Sequence, residues 1–128
     1  MGSVGILIKD GLDRHVTNII RKKGRLISCD LKFKGTNPTR IINIYVNCND
    51  KEKKEREELL NDLQDLITEA TRKNYFIIIM GDMNADPEKY DKKTTFALKG
   101  KYRIIQLLRN ENFYDTQKIT NTGPLKQT

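Results

Sequence analysis

Asp82, Asn84 and Asp86 stand two residues apart in Gly81-Asp82-Met83-Asn84-Ala85-Asp86-Pro87, directly after the apolar run Tyr75-Phe76-Ile77-Ile78-Ile79-Met80. In an open α/β sheet the carboxyl ends of parallel strands face the crevice where ligands bind. Two carboxylates and an amide at that point are therefore placed to meet a substrate. Gly81 lets the backbone approach closely. The same residue types also end strands and begin turns, which is the bland reading, and an exposed turn carboxylate is the simpler meaning of Asp86. A calcium loop is excluded. If Asp82 opened an EF-hand, its sixth and twelfth positions would be Pro87 and Lys93 where glycine and glutamate are needed, and a strand precedes it where a helix is required.

The elements that would hold this grouping can be read from periodicity. Leu59, Leu63, Leu66, Ile67 and Ala70 recur at three- and four-residue steps and form one apolar stripe, which predicts a helix over residues 51–73. Asn49 with Glu52 resembles a capping box, Glu52/Arg56 and Glu69/Lys73 are favourable i,i+4 pairs, and Asn74 can close the helix. Residues 75–80 read as a central strand buried on both faces. Ile27, Cys29, Leu31 and Phe33 alternate with Ser28, Asp30, Lys32 and Lys34, the pattern of a strand covered on one face. Residues 40–47 form another, with Ile42, Ile44 and Val46 opposite Ile41, Asn43 and Tyr45. Gly35-Thr36-Asn37-Pro38 between them makes an antiparallel hairpin. Residues 4–8 read as a further short strand. Strand, helix, strand over residues 40–80 is a βαβ unit with parallel strands, so the class is mixed α/β. A second amphipathic helix is expected over residues 101–110, with Ile104, Ile105 and Leu108 on one face. A lysine-rich loop is expected near residues 88–95, and an aperiodic polar stretch over 117–128.

Composition narrows the function classes. The chain has 128 residues and a formal net charge of +7, which suits a polyanionic partner. The charge is uneven: residues 1–49 hold nine basic and three acidic side chains, residues 50–73 six and eight, and residues 74–128 nine and six. The acidic helix is thus expected on the back of the sheet, away from substrate. His15 is the single histidine, so mechanisms or metal cages needing several imidazoles are excluded, and it reads as a surface or loop residue. Cys29 and Cys48 have no CxxC or Cys/His grouping and read as free thiols, with no disulfide-linked partner expected. No apolar stretch approaches the ~18 residues of a membrane span, and no secretory signal opens the chain, so no membrane partner and an intracellular setting, nuclear or cytoplasmic, are expected. Arg21-Lys22-Lys23 and Lys92-Lys93 read as solvated loops that could also draw a phosphate backbone. Tyr90, Phe96 and Tyr102 read as packing residues that could also stack on bases.

Together these pieces resemble the endonuclease/exonuclease/phosphatase superfamily, particularly its apurinic/apyrimidinic endonucleases and non-LTR retrotransposon endonucleases. The matching pieces, in the family's order, are Val4-Gly5-Ile6-Leu7-Ile8, the strand Arg40-Ile41-Ile42-Asn43-Ile44-Tyr45-Val46-Asn47, the long helix, and the apolar strand with its Gly-Asp-x-Asn ending at Asp82 and Asn84. Phe113-Tyr114-Asp115 is similar to the family's segment after its next helix. The resemblance implies a four-layer α/β sandwich, DNase I-like, of which residues 1–128 would supply part: chiefly one mixed sheet with its covering helices.

The resemblance also implies roles. Asp82 would be the catalytic carboxylate that orients or deprotonates the attacking water and helps hold a divalent metal. Asn84 would hold a phosphate oxygen or the water, and Tyr45 would bring its phenol near the scissile phosphate. Oxygen ligands suit Mg²⁺ or Mn²⁺ better than zinc. The implied reaction is phosphodiester hydrolysis on nucleic acid, with DNA favoured by the basic balance. Asn47 stands where the family has proline. The family's early asparagine and metal-binding glutamate, and its late Asp-His pair, have no counterpart here, so the chain is expected to be an incomplete domain lacking the first metal-ligand strand and the last segment. Two other readings stay open: a catalytically silent basic nucleic-acid-binding or scaffold module, and a phosphatase acting on a small phosphoester.

Overall fold

The computed structural model describes residues 3–46, 52–84 and 103–116. The chain divides after Asn84 into two units. The first carries β1 (Val16–Lys22), β2 (Leu26–Leu31), β3 (Thr39–Tyr45), α1 (Lys53–Arg72) and β4 (Phe76–Asp82). The strands lie in sequence order in one mixed sheet, β1-β2-β3-β4. The β2–β3 hairpin is antiparallel, as its turn residues require, and β3 runs parallel to β4 across the α1 crossover.

The pleat of β3 divides its residues as the alternation predicts. Arg40, Ile42, Ile44 and Val46 are buried, while Ile41, Asn43 and Tyr45 are half-buried on the other face. Leu59, Leu60, Leu63, Leu66, Ile67 and Ala70 form the buried face of α1. The helix ends where Asn74 adopts a left-handed φ of 60° and the Tyr75 N–H donates to Ala70 O at 2.9 Å. Its start differs from the expected capping box: Glu52 itself precedes the first turn and makes no side-chain capping bond, and Asn49 lies outside the described residues.

Three expectations need correcting, and one strand was missed. Residues 4–8 form no strand; Val4 N–H donates to Gly24 O and Gly5 O accepts from the Asn43 side chain, contacts that build no ladder. β1 was unforeseen, because Thr17, Asn18, Arg21 and Lys22 hide its pattern; among the described residues it pairs only with β2, and most of its side chains are exposed. β4, expected to be central and buried on both faces, has β3 as its one paired neighbour among the described residues, and there Phe76, Ile78 and Met80 are 60%, 49% and 45% exposed. Finally, β2 is buried throughout rather than covered on one face.

That last correction has a chemical cause. Asp30, read as an outward polar residue, is the bidentate partner of buried Arg40, with Nε to Oδ1 and Nη2 to Oδ2 both at 2.8 Å. The same guanidinium reaches Leu66 O at 2.9 Å and Glu69 Oε1 at 2.8 Å on α1. Charges taken out of water must be paired in this way, and here the pairing ties hairpin to helix. In the second unit α2 (Arg103–Asn110) buries Ile104, Ile105 and Leu108, the face expected of it.

Candidate active site

Three constraints build the site at the carboxyl ends of β3 and β4. The first is Gly81, at φ +126°. A Cβ there would lie 2.0 Å from Ile44 O and 2.8 Å from Ile44 N, so only glycine lets β4 approach β3 in this way. The second is the parallel register, in which Tyr45 and Asp82 are Cα partners. Neighbouring strands are ~4.8 Å apart, so phenol and carboxylate start from adjacent backbone positions.

The third constraint fixes the turn. Asp82 Oδ1 accepts from the Asn84 backbone N–H at 2.9 Å, an Asx turn, and Asn84 takes a left-handed φ of 51°. Val46 is then gripped twice: its N–H donates to Asp82 O at 2.9 Å, and its carbonyl accepts from Asn84 Nδ2. Asp82, Asn84 and Tyr45 are thus brought together at one sheet edge. Asn84 commits one amide N–H to the backbone, which leaves its second N–H and its Oδ1 as the groups that could face water or phosphate.

The β1–β2 turn lies at the same edge, because β2 begins opposite the end of β3. The Arg25 guanidinium sits over the Tyr45 ring, 5.0 Å from its centroid, and the Tyr45 N–H donates to Arg25 O at 2.8 Å. Arg25 was not singled out from the sequence, although it closes the basic run that begins at Arg21; only the hairpin register reveals it. Acidic residues of the helix segment reach this edge too. Glu52 pairs with Arg25 at 3.7 Å, and Glu58 pairs with Lys23, which raises the lysine above its ordinary value and lowers the glutamate below its own. The helix is therefore not wholly behind the site, and Lys23 is an ion-paired residue rather than a purely solvated one.

His15, expected on the surface or in a loop, instead ends a single 3-10 turn (Asp13–His15), half-buried with its ring against Phe33 at 4.7 Å. Cys29 is a free, buried thiol. Asn47, Cys48, Asp86, Tyr90, Lys92, Lys93, Phe96 and Tyr102 lie outside the described residues. Among the described residues no group of three His, Cys, Asp or Glu side chains is arranged to hold a metal, and no helix is long and apolar enough to cross a membrane.

A strand-end aspartate in a Gly-Asp-x-Asn turn, register-paired with a tyrosine, calls for comparison with known nucleases. The family model for endonuclease-reverse transcriptase matches residues 39–126, from the first residue of β3 through β4 and α2. The chain belongs to the endonuclease-reverse transcriptase family. Its mixed sheet with helices is part of a DNase I-like α/β fold, and the chain is an endonuclease-like nuclease domain of the endonuclease/exonuclease/phosphatase type. The family acts on nucleic acid and is generally dependent on divalent metal. No curated protein matches the chain.

Proposed function

We propose that the chain hydrolyses phosphodiester bonds in DNA in the manner of abasic-site and retrotransposon endonucleases, with Asp82, Asn84 and Tyr45 as its catalytic residues and Mg²⁺ or Mn²⁺ as its cofactor. The observation that carries this reading is the pairing of Tyr45 with Asp82 at the strand ends, with Asn84 locked beside them.

The donor set suits a hard divalent cation. Asp82 offers exposed carboxylate oxygen, and Mg²⁺ takes one or two carboxylates and fills its remaining positions with water and phosphate oxygens. Asp82 would hold the ion, which when bound supplies positive charge at the phosphoryl oxygens. The protein's own share is positional. The Asp82 carboxylate orients the attacking water and takes its proton. The Asn84 amide donates to a phosphate oxygen, and the Tyr45 phenol donates to another as charge accumulates in the transition state. The partner is nucleic acid, drawn by a chain of net charge +7, and an intracellular setting agrees with the free thiol of Cys29.

The test compares wild type with Asp82→Asn on abasic and supercoiled DNA in Mg²⁺ and in Mn²⁺. Cleavage lost in the variant, with DNA binding retained, is the expected result. Cleavage absent from the wild type, or equal in both, overturns the enzymatic reading; salt-dependent DNA binding unchanged by Asp82→Asn would then identify a silent binding module. Turnover of a soluble phosphoester without DNA cleavage would identify a phosphatase.

A further inference from the structure

We propose that Arg25 is a positioning residue for Tyr45, a clamp that fixes the plane of the phenol at the reacting phosphate; this rests on the reading of Tyr45 and Asp82 as site residues. Two independent contacts join the pair. The Tyr45 N–H donates to Arg25 O at 2.8 Å, which sets the two backbones, and the guanidinium then covers the ring at 5.0 Å from its centroid. A planar cation over an aromatic face is attracted by the ring quadrupole and restricts the ring's rotation.

Arg25 is itself held. Its Nη2 lies 3.7 Å from Glu52 Oε2, and its side chain is only 18% exposed, so the clamp is anchored against the residue that precedes α1. Strand end, hairpin turn and helix start thus converge on one ring. A half-buried tyrosine at the last position of β3 would otherwise sample several rotamers. Because the ring's hydroxyl is the group that must meet the phosphate, its alignment affects turnover more than DNA affinity. A guanidinium that merely attracted DNA would instead act on affinity and would be replaceable by any cation.

The experiment is steady-state cleavage of an abasic duplex by wild type, Arg25→Met, Arg25→Lys, Tyr45→Phe and the double variant Arg25→Met/Tyr45→Phe, each checked for folding by thermal melt. Arg25→Met is expected to lower kcat about tenfold at unchanged KM. Arg25→Lys should not restore it, since an ammonium lacks the planar face, and the double variant should be no slower than Tyr45→Phe alone. Additive losses, rescue by lysine, or an effect confined to KM would overturn the clamp while leaving the site intact. Asp82→Asn and Tyr45→Phe both cleaving like wild type would instead overturn the site reading. A readout independent of turnover is the ¹⁵N spectrum of arginine Nε–H groups: the Arg25 signal should move in Tyr45→Leu and stay in Tyr45→Phe, and an unmoved signal in Tyr45→Leu overturns the clamp.

Discussion

The side-chain amide of Asn84 donates to the carbonyl of Val46, so the turn that follows β4 is hydrogen-bonded to the end of β3. Asn84 therefore positions Asp82 as well as offering its remaining polar groups to substrate. Asn84→Ala removes that bond and places a Cβ without polar compensation at φ 51°, for a combined loss of about 2 kcal/mol. Asn84→Gly removes the bond but tolerates the backbone, and should lose about 1 kcal/mol less. Urea midpoints of the two variants check this; a glycine variant as unstable as the alanine variant would show that the left-handed backbone contributes nothing.

Gly81→Ala should be far worse than an ordinary glycine substitution. The added methyl would stand 2.0 Å from Ile44 O, 2.8 Å from Ile44 N and 2.7 Å from Asn43 Oδ1, and two of these atoms belong to the backbone of β3. Relief requires the strands to separate, at an expected cost of ~3 kcal/mol or more. Chemical denaturation measures the loss, and an alanine variant within ~1 kcal/mol of wild type would refute the close approach.

How much of this was legible beforehand depended on which interactions were local. The α1 stripe of Leu59, Leu63, Leu66 and Ile67, the β2–β3 hairpin and the placement of Asp82 after an apolar strand all follow from short-range pattern, and all are present. The strand order does not. Six apolar residues read as a central strand, yet among the described residues β4 pairs with β3 alone; a strand's own apolar run does not specify its neighbours. Asp30 looked outward because a period-two pattern cannot show a buried carboxylate that is satisfied by Arg40 ten residues later. Arg25 was invisible for the same reason: its meaning comes from the register that sets it over Tyr45.

The Arg40–Asp30 pair makes a prediction about replacement. Removing one partner leaves a charge buried, whereas removing both removes the desolvation as well. Asp30→Leu alone should cost about 3–5 kcal/mol, and Asp30→Leu/Arg40→Met should recover most of that loss. Glu69 would then lose its Arg40 partner, so recovery should be incomplete. A double variant as unstable as the single one in denaturant melts would show that the network, rather than its charge, holds hairpin to helix.

Cys29 should be inert until the sheet opens. It is buried on β2, and burial, followed by the neighbouring Asp30 charge, pushes its thiol above the ordinary value. In a Cys48→Ser background, alkylation of the native protein should be at least ~100-fold slower than in denaturant, because reaction must wait for opening. Comparable rates in both conditions would contradict the buried placement.

Glu69 predicts how stability responds to acid. A hydrogen bond from Arg40, reinforced by the charges of Arg40, Lys73 and Arg72, holds its carboxyl below the ordinary value of 4.5 despite partial desolvation. The unfolded chain, with the higher value, takes up the proton first as pH falls. Glu69 therefore adds stability above that ordinary value and loses it as pH drops through the lower, folded one. Glu58, lowered by Lys23, adds in the same direction, weakly because the pair is solvent-exposed. Unfolding free energy should thus decline through the acidic range, and Glu69→Gln should flatten that decline while leaving the slope near neutrality unchanged. Denaturant melts of both proteins at a series of pH values decide the matter: parallel curves would mean that the Arg40–Glu69 contact carries no protonation-linked stability.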